Sequence, residues 1–317
     1  MQEGLMVPSH EVAPLDNIAS GVTGLRIVMV NVFAVKRPDG SWTLVDAGLP
    51  FSAAKIRHWA GGLFGERRPD AIVLTHAHFD HVGALRSLAD YWDVPIYAHP
   101  LEMPYLTGRS KYPPPDPTVG GGAMTLMAPL YPRGAGDVSD RVHTLPEDGS
   151  VPSMPGWRWI ATPGHTPGHV SFFRDEDRVL IAGDAFTTTK QESLMAVATQ
   201  RPELHGPPAY YTQDWEAAKL SVGRLAGLMP AVAAAGHGLP MSGGEMTAAL
   251  QYLADNFDRI ARPARGRYAR TPAVADERGV VSVPPEPAGS RIPKMALLTV
   301  IAGSVVLGMM RWRRKAA

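Results

Sequence analysis

The stretch Thr75-His76-Ala77-His78-Phe79-Asp80-His81 puts three histidines and an aspartate within six residues. It starts where a short apolar run, residues 71–74, ends, so it reads as the turn that leaves a β-strand. Such a turn aims alternate side chains at one point. Imidazole and carboxylate together suit Zn, Fe or Mn. A solitary histidine is more often a core or surface residue, whereas four ligand-type side chains this close read as a metal site.

Working outward, more ligand-type residues follow apolar runs. His165 lies in Thr162-Pro163-Gly164-His165-Thr166-Pro167-Gly168-His169, where Gly and Pro set a tight loop. Asp184 follows the run 179–182, and His237 follows 231–235 inside Gly236-His237-Gly238. Each stands at a strand-to-loop junction, where side chains from separate strands can converge. His169 is expected to shape its loop or enter the next strand. His10, His58, His99, His143 and His205 have no ligand-type neighbours and read as ordinary histidines.

The rest of the chain supplies a scaffold. The run 25–35, a Pro38-Asp39-Gly40 turn and a second run, 42–45, read as a hairpin. Helices are expected over 51–63, with Ser52 as cap, and over 82–91, 215–228 and 245–260. Strands are expected at 95–98, 157–161, 170–173, 179–182 and 231–235. The strands come in two sets, each followed by helices, which predicts two sheets with helices packed outside. Residues 103–135 hold Pro113-Pro114-Pro115 and Gly120-Gly121-Gly122 with scattered Met and Tyr. A loop this long inside a domain reads as a lid or binding loop, with an insertion without function as the alternative. Tyr105, Tyr112, Met124, Met127, Tyr131, Tyr210 and Tyr211 are candidates to line an apolar pocket or to pack their own loops.

Composition narrows the function classes. The 317 residues carry a formal net charge of +1, which argues against nucleic acid as partner. There is no cysteine, so thiolate ligands, disulfides and cysteine nucleophiles are excluded. Residues 1–16 carry three acidic groups and no apolar run, and do not read as a signal peptide. A cytoplasmic location is expected.

The set His76, His78, Asp80, His81, His165, Asp184 and His237 resembles the HxHxDH signature and later His, Asp and His of the metallo-β-lactamase fold hydrolase superfamily. The resemblance covers residues 24–260. It implies an α+β four-layer αβ/βα sandwich, two mixed β-sheets with outer helices, and a site at one edge between the sheets. It implies two divalent metal ions, zinc first, with iron or manganese as alternatives. His76, His78 and His165 would hold one ion; Asp80, His81 and His237 the other; Asp184 would bridge them. Asp46, in Val45-Asp46-Ala47-Gly48, matches the motif beneath the site, where it would support a ligand; on residues alone it could equally cap the helix from Phe51.

By the same resemblance the chain would be a hydrolase using a metal-bridging hydroxide, with Asp80 and Asp184 as catalytic residues. Its small-molecule substrate would be an ester-type compound. True β-lactamases of this fold usually lack the bridging Asp, and many use a cysteine ligand, so Asp184 and the missing cysteines turn the reading toward the glyoxalase II and lactonase branches, with thioesters or lactones as substrates. A mononuclear iron oxidoreductase like the persulfide dioxygenases is the alternative, and a metal-binding protein without turnover is a third.

The expected domains are a catalytic domain over 1–262, a Pro/Arg/Gly-rich linker over 263–291 and an apolar C-terminal segment, 292–317, with a basic end. Residues 295–310 are sixteen uncharged residues, closed by Arg311-Trp312-Arg313-Arg314-Lys315. As a helix they span about 24 Å, short of a hydrocarbon core of about 30 Å, and only 292–312 reaches that length, by including Lys294 and Arg311. This segment reads as a tail anchor giving membrane contact, with a docked amphipathic or buried helix as the alternative.

Overall fold

Strand alternation builds two sheets that are apolar on both faces. In the computed structural model, residues 12–134 and 136–287 are described. The first sheet runs, in spatial order, β1 (Val12–Ala19), β2 (Val22–Ile27), β3 (Val30–Lys36), β4 (Trp42–Val45), β5 (Ile72–Val73), β6 (Ile96–Ala98) and β7 (Val142–Thr144). It is antiparallel from β1 to β4 and parallel from β4 to β7. The second sheet takes β8 (Trp157–Ala161), β9 (Val170–Arg174), β10 (Val179–Gly183), β11 (Val232–Ala235) and β12 (Met241–Ser242) in that order. Only its β10–β11 pair is parallel.

Four layers follow from which residues each face buries. Val30, Val32 and Ala34 of β3, with Leu44 and Ile72, pack against Ile56 and Trp59 of the helix Ala53–Phe64 and Leu85 and Leu88 of the helix Leu85–Trp92. Phe33, Val35, Val45 and Val73 point the other way and meet Phe172, Val179, Ile181 and Ala234 of the second sheet. Leu180, Ala182 and Ala233 face outward onto Val222, Leu225, Met246 and Leu250 of the helices Trp215–Gly227 and Gly243–Asp255. Strands covered on both sides carry near-continuous apolar runs instead of strict alternation. The result is the αβ/βα sandwich expected above.

Four elements differ from expectation, one of them the helix expected over 245–260, which breaks at Asn256 into Gly243–Asp255 and Phe257–Ile260. The run 25–35 is two strands, joined by a turn in which Val28 takes φ 60°. A β-branched residue rarely adopts that conformation, so nothing in the residue types marked the turn. The helix expected over 51–63 begins at Ala53; Phe51 is almost fully exposed, and the Ser52 hydroxyl donates to the Leu49 carbonyl instead of capping the helix. The helix expected over 82–91 is broken into Phe79–Val82 and Leu85–Trp92. Gly83 sits in the break because its backbone presses on Pro50: a Cβ there would lie 2.1 Å from the Pro50 nitrogen.

Part of the stretch expected as a linker is built onto the domain. It forms the hairpin β13 (Val274–Asp276) and β14 (Gly279–Ser282), and Tyr268 is buried. The Tyr268 hydroxyl donates to Pro114 O at 2.6 Å, Ala273 N–H to Gln213 O at 3.1 Å and Val280 N–H to Ser110 Oγ at 3.2 Å. Arg267 N–H donates to the Asp116 carboxylate. These contacts strap the segment across both long loops. The apolar tail over 292–312 lies outside the described residues. Among those described, no helix is long and apolar enough to cross a membrane.

Candidate metal centre

The strands β4, β5, β8, β10 and β11 all end at one edge, and the residues just past those ends meet there. His76, His78, Asp80 and His81 come from the turn after β5 and its short helix, His165 from the loop after β8, Asp184 from the end of β10 and His237 from the loop after β11. All seven are at least nine-tenths buried. The turn after β11 passes close: a Cβ on Gly236 would stand 2.2 Å from Asp184 Oδ1, so only glycine lets the backbone in.

The seven side chains form three overlapping groups able to hold an ion: His76, His78 and His165; Asp80, His81 and His237; and His76, His81 and Asp184. His78 Nδ1 lies 3.0 Å from His76 Nε2 and 2.9 Å from His165 Nε2. Asp184 lies among three of the others: Oδ1 is 3.5 Å from His81 Nε2, and Oδ2 is 3.5 Å from His165 Nε2 and 3.1 Å from His237 Nε2. Asp80 Oδ2 is 3.5 Å from His237 Nε2.

Partners behind the rings decide which nitrogen faces the centre. Thr75 Oγ1 donates to Asp46 Oδ2 at 2.8 Å, so it accepts from His76 Nδ1 at 3.1 Å. His81 Nδ1 donates to Asp46 Oδ2 at 2.8 Å, and His237 Nδ1 to Met29 O at 2.6 Å. Thr212 Oγ1 donates to Pro208 O and accepts from His165 Nδ1 at 3.3 Å. Four rings therefore commit Nδ1–H outward and turn Nε2 inward, where those of His76 and His165 are lone pairs. His78 is reversed, with Nδ1 inward. A proton on His78 Nδ1 serves only one of the two Nε2 lone pairs that face it, and His78 Nε2, His81 Nε2 and Asp184 Oδ1 are all buried with no hydrogen-bond partner, whereas a cation between the rings satisfies all three nitrogens. The donor set fits divalent ions.

Protonation agrees for the first trio. Burial holds His76 and His78 well below the ordinary imidazole range and pushes His165 down to about 3, so all three are neutral near pH 7. Burial also opposes charge on His81 and His237, but Asp184, joined by Asp46 at His81 and by Asp80 at His237, outweighs it and raises both. Burial pushes Asp80 up. Asp184 is pressed upward by burial yet ends well below the usual carboxylate range, because His237 and His81 face it.

Asp46 serves the site and not the helix. Its Oδ1 accepts from Thr75 N–H at 2.8 Å while Oδ2 holds His81 and Thr75. Two further residues brace the site, His169, expected to shape its loop, and Glu102, which the sequence reading missed. His169 Nε2 accepts the Asp184 backbone N–H at 2.8 Å, so its Nδ1 donates to Thr162 Oγ1 at 2.8 Å, and the relay continues through Ser171 Oγ to Ala182 O. Glu102, fully buried, accepts hydrogen bonds from Ala77 N–H, Tyr112 OH, Thr166 Oγ1 and Gly168 N–H. His169 was visible only as a motif neighbour. Glu102 carried no signal, being one acid in an irregular stretch.

Residues 25–237 match the metallo-β-lactamase superfamily. The chain belongs to that superfamily. It is 49% identical over 245 residues to the "probable metallo-hydrolase YflN" of Bacillus subtilis, covering 76% of this chain and 93% of that protein. A shorter stretch of 107 residues is 35% identical to the hydroxyacylglutathione hydrolase of Erwinia tasmaniensis, covering 33% of this chain and 30% of that one. Among solved structures, a beta-lactamase domain protein from Burkholderia ambifaria is similar with a TM-score of 0.55 at 20% identity, covering 76% of this chain and 75% of that one.

What this superfamily member places over the centre is aromatic and apolar. The Tyr211 ring stacks on His78 at 4.4 Å and Tyr112 lies 4.5 Å from the same ring. Phe79, Met124, Val197, Tyr210 and Tyr211 form one buried cluster with Tyr131 against it. Tyr105 and Tyr112 are fully buried and stacked at 3.8 Å, so they pack the long loop onto the domain and do not line an open pocket.

Proposed function

We propose that this chain is a metallo-hydrolase with a dinuclear centre that cleaves an ester-type bond, a thioester or a lactone. The observation that carries the reading is Asp184, whose two oxygens approach His165 of one group and His81 and His237 of the other. Two divalent ions there, most simply zinc, would lower the pKa of a water and polarise the scissile carbonyl. His76, His78 and His165 would hold one ion, Asp80, His81 and His237 the other, with Asp184 between.

The chain's own residues supply the rest. Asp80 is the group to take a proton from the attacking water and return it to the leaving group. The cluster of Phe79, Tyr131, Tyr210 and Tyr211 excludes water and offers apolar surface to the substrate's uncharged part. The match to a hydroxyacylglutathione hydrolase supports a thioester as substrate.

Elemental analysis of the wild type and of Asp184→Ala, combined with an esterase, lactonase and thioesterase panel, tests this. Two ions per chain and hydrolysis that depends on Asp184 are expected. Fewer than two ions in an active, fully metallated preparation would overturn it.

A further inference from the structure

We propose that Glu102 is a positioning residue that sets the His76, His78 and His165 group more than the Asp80, His81 and His237 group. The inference rests on the reading that this group holds an ion. Glu102 ends the short 3₁₀ turn Pro100–Glu102 and is fully buried. Its Oε2 accepts from Ala77 N–H at 2.9 Å and from the Tyr112 hydroxyl; its Oε1 accepts from Thr166 Oγ1 at 2.8 Å and Gly168 N–H at 2.9 Å. Ala77 stands between His76 and His78, and Thr166 follows His165. One side chain thus ties the two loops that carry the trio. Its hydrogen bonds reach neither Asp184 nor the loop of His237.

The donor types favour an acid at this position. Hydroxyls can turn and become acceptors, but backbone N–H groups cannot. Glu102 takes one backbone N–H on each oxygen, from Ala77 and from Gly168. A glutamine has one carbonyl oxygen, so in either orientation its NH₂ faces a backbone N–H, donor against donor. There is no room for water between: a Cβ on Gly168 would already lie 2.8 Å from Glu102 Oε1. Ala77 N–H keeps the Tyr112 hydroxyl at 3.1 Å as its other acceptor, so a glutamine that keeps its oxygen on Gly168 loses the direct tie to Ala77 and loosens the hold on the imidazoles beside it.

Cobalt(II) titration of the full chain, followed by visible absorption, tests the selectivity. In a His237→Ala background the trio is the intact group; in a His165→Ala background the Asp80, His81 and His237 group is. Adding Glu102→Gln should weaken cobalt binding about 10–100-fold in the first background, as loss of a ligand's supporting partner does. In the second, the loss should be clearly smaller, because Glu102 makes no hydrogen bond to Asp184 or to the loop of His237. Thr166→Val, which removes one of the four donors and leaves both backbone contacts, should shift the first background in the same direction by less. Equal losses in both backgrounds, or no loss in the first from either variant, would overturn the proposal. A wild type that takes up a single ion would sink the dinuclear reading instead, and the first-background comparison would still decide the role of Glu102.

Discussion

Asp46→Asn is the sharpest test of how the centre is braced. Oδ1 takes the Thr75 N–H, and Oδ2 takes both Thr75 Oγ1 and His81 Nδ1, each at 2.8 Å. An asparagine meets this set in two ways, and both fail. With its oxygen toward His81, its NH₂ opposes the Thr75 N–H. With its oxygen toward Thr75 N–H, its NH₂ donates to His81 Nδ1 and moves the ring proton to Nε2, the atom that faces Asp184. Loss of such a partner typically weakens metal binding about 10–100-fold, or about 1.4–2.7 kcal/mol. Thr75 also accepts from His76, so the first trio weakens too, but less than the group with His81. The unmet donor adds about 1–3 kcal/mol of destabilisation in the metal-free chain, a fall in melting temperature of roughly 2–12 °C for a domain of this size. Isothermal titration with zinc and melting of the metal-free protein read the two effects separately. If the variant melts lower yet binds both ions within about twofold of the wild type, Asp46 serves the fold alone and the reasoning is refuted.

Two further outcomes follow from the same geometry. Zinc uptake should release protons unequally at pH 7: none from the neutral His76, His78 and His165, but some from His81, held well above the ordinary imidazole range, and from His237, raised in the same direction. The second ion should therefore bind more weakly as pH falls and more tightly as pH rises through those raised values; titrations in buffers of different ionisation enthalpy measure this, and equal release for both ions would contradict it. Truncation separates strap from tail. A chain ending at residue 287 should melt like the full one, whereas a chain ending at Arg262 loses four hydrogen bonds to the long loops, on the order of 4 kcal/mol and roughly 8–16 °C. Equal melting of all three would show that the strap contributes nothing, and membrane pelleting of the full chain against the 287 form tests the apolar tail without disturbing the strap.

The metal-centre candidates were legible because each is a ligand-type residue at the end of an apolar run, and the fold brings strand ends to one edge. Two features hid in the same sequence for a physical reason. Local patterns report what a residue does to its neighbours in the chain, while Glu102 acts on Ala77, Thr166 and Gly168, between 25 and 66 positions away. The turn at Val28 was invisible because its backbone runs against residue preference. Val28 at φ 60° carries into Met29, whose carbonyl receives His237 Nδ1, and Asp46, at φ 61°, receives His81 Nδ1. Each unfavourable conformation costs of order 1–3 kcal/mol and persists only where surrounding contacts over-determine it. Both lie directly behind an imidazole of the Asp80, His81 and His237 group. The backbone is therefore bent against its own preference where a ring must be held from behind, and the histidines that local pattern made plain depend on the residues that it concealed.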